Sequence, residues 1–116
     1  MINYEVSNLG LISKYLILYK KCFKNFNKNA EYLNWLYVNN PMGSYIGIDA
    51  FDKSEIIGQL GGIPINLKFY NKHIKTFVLV NTCIEPKYRG GRIFYNLANN
   101  LEKVLKEKNF DLIIGI

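Results

Sequence analysis

The stretch that decides the fold is "VNTCIEPKYRGGRIFYNLANNLEKVL", Val80 to Leu105. An apolar run ends at Pro86 and passes Lys87, Arg89 and Arg92, which gather round Gly90 and Gly91. It then opens into a helix with Phe94, Leu97, Ala98, Leu101, Val104 and Leu105 on one side. Strand, tight basic turn and helix start put unpaired N–H groups and positive charge in one place. Glycines let an anion reach the backbone, and arginine can grip phosphate oxygens with two parallel N–H groups. The turn therefore reads either as a phosphate cradle or as a glycine-relaxed βα turn with solvated cations. It is not a P-loop, because the Gly-x-x-x-x-Gly-Lys-Ser/Thr spacing is absent, and no Gly-x-Gly-x-x-Gly dinucleotide fingerprint occurs.

Downstream, the helix is expected from about Ile93 to Lys108, with Glu102 and Lys106 ordered as an i,i+4 pair. Asn109 can close it in a left-handed conformation. "FDLIIGI", Phe110–Ile116, reads as a strand. A right-handed crossover would lay it parallel beside Ile74–Glu85, whose "FVLV" suggests burial on both faces. Upstream, "INYEVS" is a short strand. From Leu9 a helix is expected with Ile12, Tyr15, Leu16, Tyr19, Cys22, Phe23 and Phe26 on its inner face and Asn8 as its cap. "AEYLNWLYV" gives a second helix. "SYIGIDAF" and "IIGQLGGIPINLKF" read as antiparallel strands, with a bulge at Gly61 and Gly62 and Pro64 at a bulge or edge. The order is β-α-α-β-β-β-α-β, an α/β or α+β single domain with a mixed sheet.

With 116 residues, 49% hydrophobic and 21% charged, the chain has globular rather than disordered composition. Its +6 formal charge favours an anionic partner without choosing one. The cations are scattered and no nucleic-acid-binding motif occurs, so no nucleic-acid partner is expected. Cys22 and Cys83 are too few for a disulfide framework or a zinc cluster, so no metal is expected. "LGLISKYLILY" contains Lys14 and is too short to span a bilayer, and the N-terminus does not read as a signal peptide. A reduced, cytoplasmic protein with no membrane partner is the expectation.

The segment "IEPKYRGGRIFYNLANNLEKVLKEKNFDLIIGI" resembles the acetyl-CoA-binding motif of the GNAT superfamily of N-acyltransferases. That motif is a strand ending in Val-x-Pro, then x-Tyr-Arg-Gly-x-Gly-Ile-Gly or -Phe, a helix and a strand. The preceding "NPMGSYIGIDAFDKSEIIGQLGGIPINLKFYNKH" is similar to the family's β-meander, so the resemblance spans nearly all of residues 1–116. It implies that Thr82, Cys83 and Ile84 face the pantetheine arm. It also implies that Arg89, Gly90, Gly91, Arg92, Ile93 and Phe94 form the pyrophosphate turn, with Arg92 in the slot of the family's second glycine. The family's fold continues past this strand with a further helix and two strands, and that helix often supplies a tyrosine that protonates the departing thiolate. The chain is therefore expected to be a single GNAT-like domain lacking the C-terminal helix and strands, and incomplete as a catalyst.

The implied reaction is direct transfer of an acetyl group from acetyl-CoA to a primary amine of a small molecule, an amino sugar or a protein. A backbone N–H of the central strand would stabilise the oxyanion. The amine must first lose a proton, yet the middle of the strand reads Val78, Leu79, Val80, Asn81. Glu85 is the nearest carboxylate and a weak candidate base, more readily read as a partner of Lys87 or Arg89. The catalytic residues stay unknown. Cys83 has no evident partner histidine and reads as a buried thiol; His73 reads as exposed in a hairpin. Trp35, Tyr37 and Tyr45 read as pocket lining or core, with core favoured for at least two. The alternative is a non-catalytic or fragmentary CoA-binding or interaction module. The strand Phe110–Ile116 is expected to leave an edge unpaired, or to pair there with a second copy as a homodimer.

Overall fold

Two apolar faces, one on each side of a single sheet, organise residues 1–115, the part of the chain that the computed structural model describes. The elements are β1 Ile2–Val6, α1 Ile12–Cys22, α2 Ala30–Leu33, β2 Ile46–Asp52, β3 Glu55–Phe69, β4 Lys72–Leu79, β5 Cys83–Ile84, α3 Ile93–Lys106 and β6 Leu112–Ile114. A π-helical turn, Asn34–Val38, extends α2. The sheet order is β1-β2-β3-β4-β6, with β5 paired to β3. Among the described residues only β4 and β6 run parallel, with Thr76, Phe77 and Val78 opposite Leu112, Ile113 and Ile114. The crossover through α3 produces this pairing. The expected strand Phe110–Ile116 is thus shorter, and Ile116 lies outside the described residues.

Alternation along β3 feeds both faces. Ile56 points to the side of α1, where Ile12, Tyr15, Leu18 and Tyr19 pack with Leu33, Tyr37, Tyr45 and Cys83. Ile57 points to the side of α3, where Leu97, Leu101 and Leu105 pack with Ile48, Ala50, Leu60 and Phe77. Along Phe77–Val80 only part of the expected two-sided burial is realised: Phe77 is fully buried, while Val78, Leu79 and Val80 are partly exposed.

Several local expectations need correction. Asn8 caps a 3-10 turn, Leu9–Leu11, through the Gly10 N–H (2.8 Å), and the α-helix proper begins at Ile12. It ends at Cys22, because Phe23 takes an extended conformation. Phe23 and Phe26 reach the core from beyond the helix, their rings 6.1 and 5.5 Å from that of Tyr19. The helix α3 stops at Lys106, not Lys108; Asn109 is left-handed, with φ +57°, and the Glu102–Lys106 pair forms at 3.4 Å.

No bulge falls at Gly61 and Gly62. These glycines stay in register and answer a close approach instead: a Cβ at Gly61 would strike the Tyr45 hydroxyl, and one at Gly62 the Val78 carbonyl. In β3 the register slips opposite Ala50 and Phe51, where Ile57 is the extra residue. A second bulge breaks the expected strand Ile74–Glu85. Gly62 faces Leu79 and Gln59 faces Cys83, so Asn81 and Thr82 together stand opposite Leu60. Asn81 is left-handed, with φ +51°, a conformation asparagine tolerates better than most residues. At Pro64, β2 has already ended, so the missing N–H falls where β3 has a strand on one side only.

A chain of hydrogen bonds runs through the α1 side of the core. Asp49, 1% exposed, accepts from Ser7 Oγ (2.7 Å), Tyr15 Oη (2.6 Å) and Gln59 Nε2 (2.9 Å). Gln59 Oε1 accepts from Tyr19 Oη, which meets Tyr37 Oη at 2.8 Å. Asn81 Nδ2 donates to Tyr37 Oη at 2.9 Å. Tyr15 Oη also lies 3.0 Å from the Asn8 carbonyl. A buried polar group without such partners would cost roughly 1–3 kcal/mol.

Burial pushes the Asp49 carboxyl above its ordinary value, against the pull of its Tyr15, Ser7 and Gln59 hydrogen bonds. A folded-state pKa above the unfolded one favours the fold at low pH, and this contribution is lost as pH rises through the folded value. Asp49→Asn keeps an acceptor for Ser7 and Gln59 and turns an amide towards Tyr15, whose proton can pass to Asn8. Wild type should therefore lose stability relative to this variant as pH rises from about 4 to 8, across and above the carboxyl range. Urea midpoints measured across that range check the sign; a wild type that gains on the variant would contradict it.

Candidate functional site

The bulge at Asn81 and Thr82 shapes the site. β4 stays beside β6 as far as Val78 and Ile114; the bulge bends the chain after Val80, and β5 pairs with β3 alone among the described residues. A notch opens at the divergence. It is a cavity of about 480 Å³ lined by Leu79, Val80, Asn81 and Thr82 on one wall, with Phe23, Leu60, Phe94 and Gly115 around it. The Val80 N–H is spent on the Gly61 carbonyl (3.0 Å). Among the described residues, the N–H groups of Asn81 and Thr82 donate to no backbone carbonyl. Thr82 Oγ1 is buried and finds no partner among them.

The notch continues towards the basic turn through a second cavity of about 270 Å³, which shares Phe23, Thr82 and Phe94 and adds Cys83, Ile84 and Arg89. Arg89 Nε donates to the Ile84 carbonyl (2.8 Å), holding the turn against β5. Tyr88 Oη donates to Asp52, tying the turn to β2, and that bond pushes its pKa up to about 12. Gly90 has φ +92°, and a Cβ added at Gly90 or Gly91 would meet nothing within 4 Å. The turn is thus open above its backbone. Arg92 precedes α3 without a side-chain cap, its guanidinium 4.5 Å from the Tyr95 ring, and no acidic residue sits in the first helical turn. The first N–H groups of α3 face outward with their partial positive charge.

Five of the residues singled out from the sequence, Thr82, Cys83, Ile84, Arg89 and Phe94, line this one cavity. Gly90, Gly91, Arg92 and Ile93 follow in the turn and the first position of α3. Glu85 is 7% exposed, with Lys21 Nζ at 3.7 Å and Lys87 Nζ at 3.9 Å; the Lys21 contact was not expected. Burial, with Cys22 beside it, pushes the Cys83 thiol well up. His73 is exposed in β4, its Nδ1 2.8 Å from Asn66 Nδ2. Tyr37 and Tyr45 are core residues, stacked at 4.2 Å, whereas Trp35 is 63% exposed beside Pro41. Sequence reasoning passed over Asn81, Leu60 and Phe23 as site residues. An asparagine between two apolar runs was the available signal for a left-handed break.

No helix among the described residues is long and apolar enough to cross a membrane, and no three of their His, Cys, Asp or Glu side chains gather to hold a metal ion.

A sequence profile described as an acetyltransferase (GNAT) domain matches residues 6–116. A protein of Amsacta moorei entomopoxvirus, named as a candidate glycylpeptide N-tetradecanoyltransferase, is 24% identical over 107 residues, covering 92% of this chain and 34% of its own length. The chain therefore spans about a third of that relative. An assigned acetyltransferase of Clostridium acetobutylicum, solved with acetyl-CoA, superposes with a TM-score of 0.79 at 23% identity, covering 100% of this chain and 80% of its own. An aminoglycoside acetyltransferase from an uncultured soil metagenomic sample gives 0.71 at 14% identity, covering 100% and 79%. At these identities the structural likenesses concern the fold.

A buried thiol held protonated is a poor nucleophile. In a Cys22→Ser protein, Cys83 should react with a disulfide reagent at pH 8 on the order of a hundredfold more slowly when folded than in denaturant. Equal rates would show that the thiol is open to the notch and reactive.

Proposed function

This chain belongs to the GNAT acetyltransferase family, and on that premise we propose that it transfers an acetyl group from acetyl-CoA to a primary amine by direct attack. One observation carries the reading: a β5 edge and a Thr82 hydroxyl that have no partner among the described residues lie along a notch whose lining reaches Arg89 and Phe94, the residues that flank the open glycine turn. An extended, partly polar arm ending in phosphates fits that sequence of surfaces. The backbone of Thr82, Cys83 and Ile84 would take the pantetheine arm as a further strand edge. Arg89, Gly90, Gly91, Arg92, Ile93 and Phe94 would take the pyrophosphate, through N–H groups left open by the glycines and through guanidinium charge. When bound, acetyl-CoA supplies a thioester whose acyl carbon accepts an amine nitrogen with loss of the thiol.

The chain's own groups then have defined tasks. The N–H groups of Asn81 and Thr82 are the donors available to a carbonyl oxygen in the notch. Phe23, Leu60, Leu79 and Phe94 wall the notch with apolar surface, which strengthens any polar contact inside it. Glu85 is held between Lys21 and Lys87, so its charge serves ion pairing, and the amine arrives already neutral by its own equilibrium. The acceptor is drawn from the amine class: the soil protein is named for aminoglycosides and the viral one for glycyl peptides.

A longer acyl group has one observation in its favour. A cavity of about 460 Å³ lined by Leu101, Leu105, Phe110 and Ile113 shares Leu60, Leu79 and Phe94 with the notch, and the viral relative is named for a fourteen-carbon chain.

Calorimetry should give saturable CoA binding that Gly91→Val weakens at least about tenfold by crowding the phosphate, a loss of about 1.4 kcal/mol. Its melting temperature should not change, since the site of the new side chain is open. Transfer to an aminoglycoside and to a glycyl peptide, from acetyl-CoA and from tetradecanoyl-CoA, then identifies acceptor and acyl length. Unchanged affinity in the folded variant would reduce the basic turn to a turn, and CoA binding without transfer would make the domain a binding module.

A further inference from the structure

The buried hydrogen-bond chain fixes which end of the Asn81 amide faces the notch. Asp49 offers acceptors to Ser7, Tyr15 and Gln59, so the Gln59 amide nitrogen is the end turned towards it. The Gln59 oxygen is then left for Tyr19, whose single hydroxyl proton goes there. With that proton spent, the 2.8 Å contact between Tyr19 and Tyr37 is donated by Tyr37. The Tyr37 oxygen can then only accept, and the group facing it at 2.9 Å is the Asn81 NH₂. Every donor in the chain points towards Asp49. The far end, Asn81 Oδ1, is accordingly turned away from Tyr37 and takes no part in the buried chain, while Asn81 itself lines the notch.

A carbonyl oxygen on a residue that lines an apolar notch recognises an N–H or O–H group and disfavours another carbonyl. The neighbouring donors, the N–H groups of Asn81 and Thr82, have the opposite polarity, so the same wall suits two different partner groups. We propose that Asn81 is a substrate-binding residue, whose Oδ1 accepts a hydrogen bond from an N–H of the incoming amine, and that Tyr37, Tyr19, Gln59 and Asp49 are positioning residues acting through it. The inference rests on the amine-acylation reading above and deepens it by naming the residue that holds the acceptor. The contact leaves the nitrogen lone pair free to point elsewhere, as attack requires. It also selects primary and secondary amines over tertiary ones, which have no N–H to give when neutral.

The decisive variant is Asn81→Gly, because glycine adopts the left-handed bulge conformation freely while losing the amide. With acetyl-CoA saturating and benzylamine as the probe, its KM for the amine should rise roughly ten- to a hundredfold, the range of one hydrogen bond to a partly charged group. Its kcat should stay within about threefold, as for a contact made equally before and during reaction. CoA affinity should not change. Asn81→Asp, which keeps an acceptor in the notch, should retain most of the amine affinity, and Tyr37→Phe, which frees the amide to flip, should fall between wild type and the glycine variant. An unchanged KM in folded Asn81→Gly overturns the inference, and so does a matching loss of CoA affinity. If wild type transfers nothing to benzylamine, the acetyltransferase reading fails on its own account. The inference is then decided by titrating labelled, CoA-saturated protein with benzylamine: movement of the Asn81 side-chain amide resonance supports it, and a stationary one overturns it.

Discussion

The left-handed backbone of Asn81 is the constraint on which the site depends. With a regular extended residue there, β4 and β5 would form one strand in register with β3. The extra residue turns the strand away after Val80, so that β5 follows β3 one residue out of step with β4. The space between the departing strands is the notch. Left-handed backbone costs an ordinary L-residue on the order of 1–2 kcal/mol, less for asparagine. Here the Asn81 side chain recovers part of that cost through its bond to Tyr37.

That bond is the end of a longer structure. Ser7, Tyr15 and Tyr19, Tyr37, Asp49, Gln59 and Asn81 come from six separate segments, so the chain of hydrogen bonds relates the bulge to α1, to the turn after α2 and to β2 and β3. A buried carboxyl is costly by itself, and its three donors repay that cost only when all are correctly placed. The same residues fill the core as apolar bodies: Tyr15, Tyr19 and Tyr37 are fully buried. The network thus specifies one packing of the α1 side, and with it the geometry of the notch.

What was legible in the sequence is what short-range pattern determines. The amphipathic period of Ile93–Lys106, the glycines and cations before it and the apolar run after it are local, and they led to α3, the open turn and the parallel crossover. The bulge was harder to read: Asn81 between the apolar runs marks a break, but only the change of register between Gly62 opposite Leu79 and Gln59 opposite Cys83 reveals the extra residue. Gly61 and Gly62 misled for a related reason: the Tyr45 hydroxyl and the Val78 carbonyl that demand them come from the residue before β2 and from β4, distant in sequence. Phe23 and Phe26 carried the helical period past the real end of α1 because an extended segment can return aromatic rings to the same core. Five residues marked from the family motif do meet in one cavity, whereas the polar wall of the notch depends on tyrosines distant in sequence and stayed out of view.

The function of the site requires that the bulge and the glycine turn bind one ligand together. The direct measurement is a titration of uniformly ¹⁵N-labelled protein with coenzyme A, followed through the backbone amides. The expected result is one saturating set of shifts, largest at Thr82, Cys83 and Ile84 and from Gly90 to Phe94, with the amides of β1 and β2 unmoved. Shifts scattered over surface lysines, or a perturbed turn with Thr82–Ile84 stationary, would contradict it.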